Sequence, residues 1–369
     1  MIPSIMTMRY PITNPCTYLK YVVIIVLFFF FSSEVFAATS TWKGGTGTNW
    51  TTANNWVGNV APSAGDDLVF TTNNTTSNND YAANTSFASI TFLNAAGNNF
   101  TVTGNAIILT TFINNQKTSS TMTVSLNINF GAGVATITVA GGGTLLLSGS
   151  LTGTGGVTKA GTGTLSLGNP AVNQWTGPTI VTAGTMIGGT QNGGDIYQTS
   201  SLTVNAGATF NQPTLNANNN NFQNSMILSV DGSFNMNGSQ DLIGYIAGGG
   251  TISNVGQVGQ MGFWFSMPGT GSGSNFSGVM SGTGFMKFSG VGTTQILSGL
   301  NTYTGQTIIQ SGTVSINTIN NTGSASSLGA PTTVANGTIA MGNTTSAATL
   351  LYTGTGSSTN RVVDLAGTT

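Results

Sequence analysis

The sequence predicts an all-β chain, a right-handed parallel β-helix or β-solenoid with almost no helix after its leader. Three observations carry that expectation. Charged residues are 4% of the 369-residue chain and glycines number 53, whereas globular chains average roughly 25% charged and about 7% glycine. Short runs of alternating apolar and polar residues, bounded by Gly, Asn or Ser, recur at about ten-residue spacing. One long segment returns further along the chain, the signature of a stacked repeat rather than a closed sandwich.

The N-terminus reads as an export signal. Arg9 and Lys20 precede an unbroken apolar run, "YVVIIVLFFFF" from Tyr21 to Phe31, and "SSEVFAATS" follows with Val35 and Ala37 at the small-residue positions of a cleavage site. The expected cut lies between Ala37 and Ala38, so residues 1–37 form the signal peptide. The run is 11 residues long, short of the ~20 that cross a bilayer as a helix, so membrane attachment through this end needs an uncleaved signal. Cleavage removes Cys16 and Glu34. The mature chain then has no His, Cys or Glu, and five Lys and Arg against seven Asp give it a net charge of −2. That composition excludes Ser/His and Cys/His nucleophilic pairs, thiolate- or His-bound zinc and disulfides. So few basic residues leave no footprint for nucleic acid.

Residues 38–70 differ in texture. "TWKGGTGTNWTTANNWVGNVAPSAGDDLVF", residues 41–70, holds Trp42, Trp50 and Trp56. These rings are expected to seal the first coil of a solenoid, which must protect its ends; the alternative is a stacking platform for glycans. Asp66 and Asp67 are adjacent and lead into a strand, where neighbouring side chains face opposite ways, so they do not form an acid/base pair.

From 71 to 369 the solenoid is expected. "SITF" (89–92), "NFTVTG" (99–104), "ATITVA" (135–140), "GTLLLSG" (143–149), "SLTVNAG" (201–207), "MILSVDG" (226–232), "TTVANGTIAMG" (332–342) and "ATLLYTG" (348–354) read as half-buried strands. "NANNNNFQN" (216–224) reads as a bulging loop. "GGVTKAGTGTLSLGNPAVNQWTGPTIVTAGTM" (155–186) is echoed by "GFMKFSGVGTTQILSGLNTYTGQTIIQSGTV" (284–314). Lys159 and Lys287, Trp175-Thr176-Gly177 and Tyr303-Thr304-Gly305, Thr179 and Thr307, and Gly184 and Gly312 match at a spacing of 128. The glycines do not fit a phosphate loop: Lys159 lies between Thr158 and Ala160, and no helix follows to hold a pyrophosphate. They fit coil corners that need positive φ. The recurring lysine suits either an anionic polymer or the blocking of strand recruitment. No cofactor is implied, and neither a calcium-loop pattern nor a metal-ligand cluster occurs.

These two segments resemble the autotransporter-associated β-strand repeat of bacterial surface proteins, with its Lys-x-Gly-x-Gly-Thr-Leu strand and its aromatic-Thr-Gly turn. "NMNGSQDLIGYIAGGGTISN" (235–254) and the opening "TW…NW…NW…P…GDD" are similar to segments that accompany it. The resemblance implies a secreted passenger region with a parallel β-helix fold. Departures are Asn169-Pro170-Ala171-Val172-Asn173-Gln174-Trp175 in place of Asn-x-Tyr, and Gly292-Thr293-Thr294 in place of Gly-Thr-Leu. Nothing after residue 354 resembles a translocator barrel or a sorting helix, so the chain is expected to be a fragment or to have its anchor elsewhere. The functional expectation is a non-catalytic solenoid, extracellular or on the outer surface of a bacterium, that contacts glycans, other cells or matrix. Two alternatives stand beside it: a carbohydrate-binding module built on Trp42, Trp50 and Trp56, and a β-helix polysaccharide lyase or hydrolase acting through Asp.

Overall fold

A strand that alternates Thr with Leu or Val can bury only one face, and this chain buries it by winding. In a computed structural model, the structure describes residues 37–365 except 72–75, 95–98, 169–173, 190–195, 197, 213–221 and 257–260. The signal segment before Ala37, the departure at 169–173 and most of the Asn-rich stretch lie outside the described residues. One compact body runs from Ala38 to Thr369.

All ladders between its described strands are parallel. Successive strands of a sheet come from successive coils, so Asp67 lies opposite Ser89, Thr136 opposite Thr158, and Thr158 opposite Ile180. The step is 22 residues at Asp67 and Ser89, whose side chains are hydrogen-bonded. Parallel strands one coil apart in sequence, 22 residues at these positions and more or fewer elsewhere, joined by corners rather than helices, make a β-solenoid. A ten-strand path runs from Thr39–Trp42 to Tyr245–Ala247, and a second ten-stranded sheet runs from Thr76–Asn79 to Val279–Gly282. A six-stranded sheet opens at Asp241–Ile243 and a four-stranded one at Ser274–Phe276; they carry the winding to Val363–Asp364 and Ala348–Tyr352.

Period two dictates the core. Along Thr144–Leu147, Leu145 and Leu147 are buried while Thr144 and Leu146 face outward, and Thr164–Leu167 repeats the pattern one coil on. Stacking in register puts like side chains on like, so Phe70 lies on Phe92 at 5.4 Å, Phe210 on Phe234 at 5.4 Å and Phe265 on Phe288 at 4.5 Å. Each fully buried ring contributes about 1.5–3 kcal/mol from desolvation. Corners turn at residues such as Gly161, whose φ is +73° and where a Cβ would lie 2.3 Å from the Val139 carbonyl oxygen of the coil before. Only glycine satisfies both the left-handed conformation and that approach.

Helix is confined, among the described residues, to two short 3₁₀ turns, Ala53–Asn55 and Val57–Asn59, and one turn at Val334–Gly337. That turn corrects the reading of 332–342 as continuous strand. Thr333 accepts a hydrogen bond from the Asn336 amide and starts a helical turn before the strand Ile339–Met341.

Ladder register also corrects the pairing of the two lysines. Thr179 and Thr307 are equivalent, yet Thr179 lies opposite Val157 whereas Thr307 lies opposite Met286. At this strand the two copies are therefore offset by 129 residues rather than 128, which makes Lys287 the counterpart of Thr158 and not of Lys159. Lys159 is opposite Val181 and points inward; Lys287 is opposite Ile308 and points outward. A slip of one residue in a strand exchanges the two faces.

Candidate interaction surface

The three N-terminal tryptophans lie inside the body. Trp42, Trp50 and Trp56 are each 0% exposed. Trp42 meets Trp56 edge-to-face at 5.1 Å, and Trp50 meets Phe87 in the same way at 5.6 Å. Trp56 Nε1 donates to the Trp50 carbonyl at 2.7 Å. The segment that carries them folds over the first strand, with the Asn55 amide bonded to the Asn49 carbonyl and to the Gly45 N–H. Rings buried on both faces cannot stack on a sugar, which corrects the assignment of Trp42, Trp50 and Trp56 as glycan contacts. Trp42 and Trp56 pack on Phe70, at the start of the aromatic column that continues through Phe92.

The aromatic-Thr-Gly turn is an interior device too. Trp175 is 1% exposed and donates Nε1 to Thr179 Oγ1 at 2.8 Å; Tyr303 is 0% exposed and shares a 2.8 Å hydrogen bond between its hydroxyl and Thr307 Oγ1. In both copies the ring fills a coil corner, and the threonine four residues later satisfies its polar tip. Burial pushes the Tyr303 phenol up to about 12, the Thr307 bond acting against it, so the ring stays neutral.

Lys159 occupies the next corner. Its ammonium donates to the carbonyls of Ala160 at 2.9 Å, Gly161 at 2.6 Å and Ala183 at 3.0 Å, so its three donors meet three acceptors on two coils. Burial without a carboxylate partner pushes its pKa down to about 8. Lys287 instead rests on the surface over the Trp264 ring, 4.2 Å from its centroid. The other cations among the described residues are also engaged: Lys43 by the Asn59 amide oxygen, Lys117 by the Asn94 carbonyl, and Arg361 by the carbonyls of Gly337 and Leu328. A surface whose positive groups are spent on the scaffold has little with which to hold a polyanion.

Carboxylates are similarly occupied. Asp66 accepts from Ser40 and from the Ser63 amide, Asp67 from Ser89, Asp231 from the Gly249 amide and buried Asp241 from Gln212. Among the described residues no three His, Cys, Asp or Glu gather as a metal site.

What faces outward is neutral and hydroxyl-rich. Thr121, Thr144, Thr164, Thr185, Thr209, Ser233 and Thr251 share one register line across seven successive coils of the second sheet. On a neighbouring corner, Thr176, Gln198, Gln223, Asn224, Ser225 and Ser266 line a groove of 530 Å³. Sequence reading missed this groove because its residues are separated by up to four coils and share no motif.

The two repeat segments match a known family. Residues 157–187 and 290–316 match the family described as Passenger-associated-transport-repeat. The chain is 29% identical over 216 residues to the Adhesin BmaC autotransporter of Brucella suis biovar 1 (strain 1330), an overlap of 58% of this chain and 5% of that protein. The chain thus corresponds to a small part of the length of that relative. No solved structure matches. This β-solenoid carries two segments that match the passenger-associated transport repeat and is similar, over part of its length, to an autotransporter adhesin.

Proposed function

We propose that the protein is a non-catalytic passenger, exported to the outer surface of a bacterium, that acts by adhesion to glycans, cells or matrix or as an extracellular scaffold. The observation that carries this reading is the match of its repeats to a passenger-associated transport family, together with similarity to a relative named as an adhesin. The chemistry of the surface supports it. Among the described residues the cations and most of the carboxylates serve the scaffold, and the outward faces offer hydroxyls and amides suited to contact over a long area. The polysaccharide lyase or hydrolase alternative has little support, because the described carboxylates are dispersed and bonded to scaffold groups.

Two measurements test this reading. Beads coated with the mature chain should be retained on epithelial cells or on immobilised matrix, and beads coated with heat-unfolded chain should not. Incubation with plant and bacterial polysaccharides should release no reducing or unsaturated ends; reproducible release would overturn the non-catalytic assignment. Export is checked by N-terminal sequencing, which should begin at Ala38.

A further inference from the structure

We propose that the groove lined by Thr176, Gln198, Gln223, Asn224, Ser225 and Ser266 binds a linear, uncharged oligosaccharide. This rests on the adhesive reading above and gives it a site.

The groove follows one corner of the solenoid. Ser200 N–H bonds to the Gly177 carbonyl, Gln223 Nε2 to the carbonyls of Gln198 and Thr199, and Ser266 Oγ to the carbonyls of Ile243 and Asn224. It therefore runs along the stacking direction for at least three coil steps, roughly 14 Å at ~4.8 Å each. A cavity of this kind falls in the ~300–1,000 Å³ range of small-molecule sites, but its length favours a chain over a single ring.

Its polar groups select the ligand. Among the described residues, the side-chain amides of Gln198 and Asn224 and the hydroxyl of Ser225 have no protein hydrogen-bond partner, and Gln223 donates its Nε2 but keeps Oε1 available. These groups combine donors with acceptors and carry no charge, which matches the paired donor and acceptor character of sugar hydroxyls. An acidic sugar would bring an anion against a lining without a cation. The smaller groove of 220 Å³ along Asn84, Asn127, Asn129 and Ser150 shows the contrast. There, Asn127 Oδ1 accepts from the Ser150 amide and Asn129 Oδ1 from the Gly131 amide, so their acceptors are already used.

Calorimetric titration of the mature chain with cellohexaose, maltohexaose, laminarihexaose and chitohexaose, and with hexagalacturonate as the charged control, tests the assignment. At least one neutral hexamer should bind saturably and hexagalacturonate should not. Combining Asn224→Ala with Ser225→Trp, both at exposed positions on the groove lip, should weaken that binding at least tenfold with an unchanged melting temperature. Failure of every neutral hexamer to bind, preference for the charged one, or binding that the double variant leaves intact would each overturn it. Bead retention on cells separates the two readings. Variant beads that adhere like wild type remove the groove but leave adhesion standing, whereas wild-type beads that do not adhere remove adhesion itself.

Discussion

Replacing Lys159 by Met isolates the energetics of a cation held inside a coil corner. The ammonium satisfies the carbonyls of Ala160, Gly161 and Ala183. Met fills similar volume and satisfies none of them. Leaving buried acceptors unpaired costs about 1–3 kcal/mol apiece, partly offset because a charge no longer needs desolvating; a net loss of about 2–3 kcal/mol at pH 7 follows. The pH dependence provides the sharper test. The folded pKa is about 8, below the ordinary lysine value of 10.5, so between those values the unfolded chain binds the extra proton. Stability contributed by this group is therefore flat below pH 8 and rises with pH from about 8 to about 10.5. The linkage ceiling is about 3 kcal/mol, and solvent screening near the corner reduces the expected gain to about 1–2 kcal/mol. Urea midpoints followed by far-UV circular dichroism from pH 7 to pH 10.5 measure it, with Lys159→Met as the reference lacking this titration. If the wild-type midpoint falls relative to the variant across that window, the carbonyls outweigh burial and the reasoning is wrong.

Two further predictions concern the aromatic devices. Trp56→Ala removes a ring that contacts Trp42, Trp50 and Phe70 and should cost about 3–5 kcal/mol, read as a lower urea midpoint; an unchanged midpoint would argue against the cap. Thr307→Val should destabilise by about 1–3 kcal/mol by stranding the buried Tyr303 hydroxyl, and adding Tyr303→Phe should recover most of that loss, so a double-mutant cycle with no coupling energy refutes the pairing.

Much of this fold is legible in the sequence because its rules are local. Period-two runs such as "GTLLLSG" fix which side chains face inward, and glycine at a corner such as Gly161 needs no distant partner to be recognised. The aromatic-Thr-Gly turn was also recognisable, though its purpose was not. The four-residue spacing from Trp175 to Thr179, repeated from Tyr303 to Thr307, is the signal that could have identified a buried ring with a satisfied polar tip. The tryptophans of the opening segment illustrate the limit. Composition can say that three large rings occur together, but whether they seal a coil or face a ligand depends on the path of residues 43–66 over the first strand, which local patterning does not set.

The lysines show why register, more than composition, separates scaffold from surface in a solenoid. By spacing, Lys159 and Lys287 occupy one repeat position, and two such cations could mark a line of anion contacts. One residue of slip places the first on three interior carbonyls and the second over Trp264. The same residue type is thus a staple between coils in one copy and a lid on a surface ring in the other. Repeats tolerate this because each corner is stabilised by its nearest neighbours, so a coil need only match the edges it stacks on. The outward positions then vary freely, and recognition can arise, as in the groove from Thr176 to Ser266, where two neighbouring coils present the free amides of Gln198 and Asn224 and the free hydroxyl of Ser225.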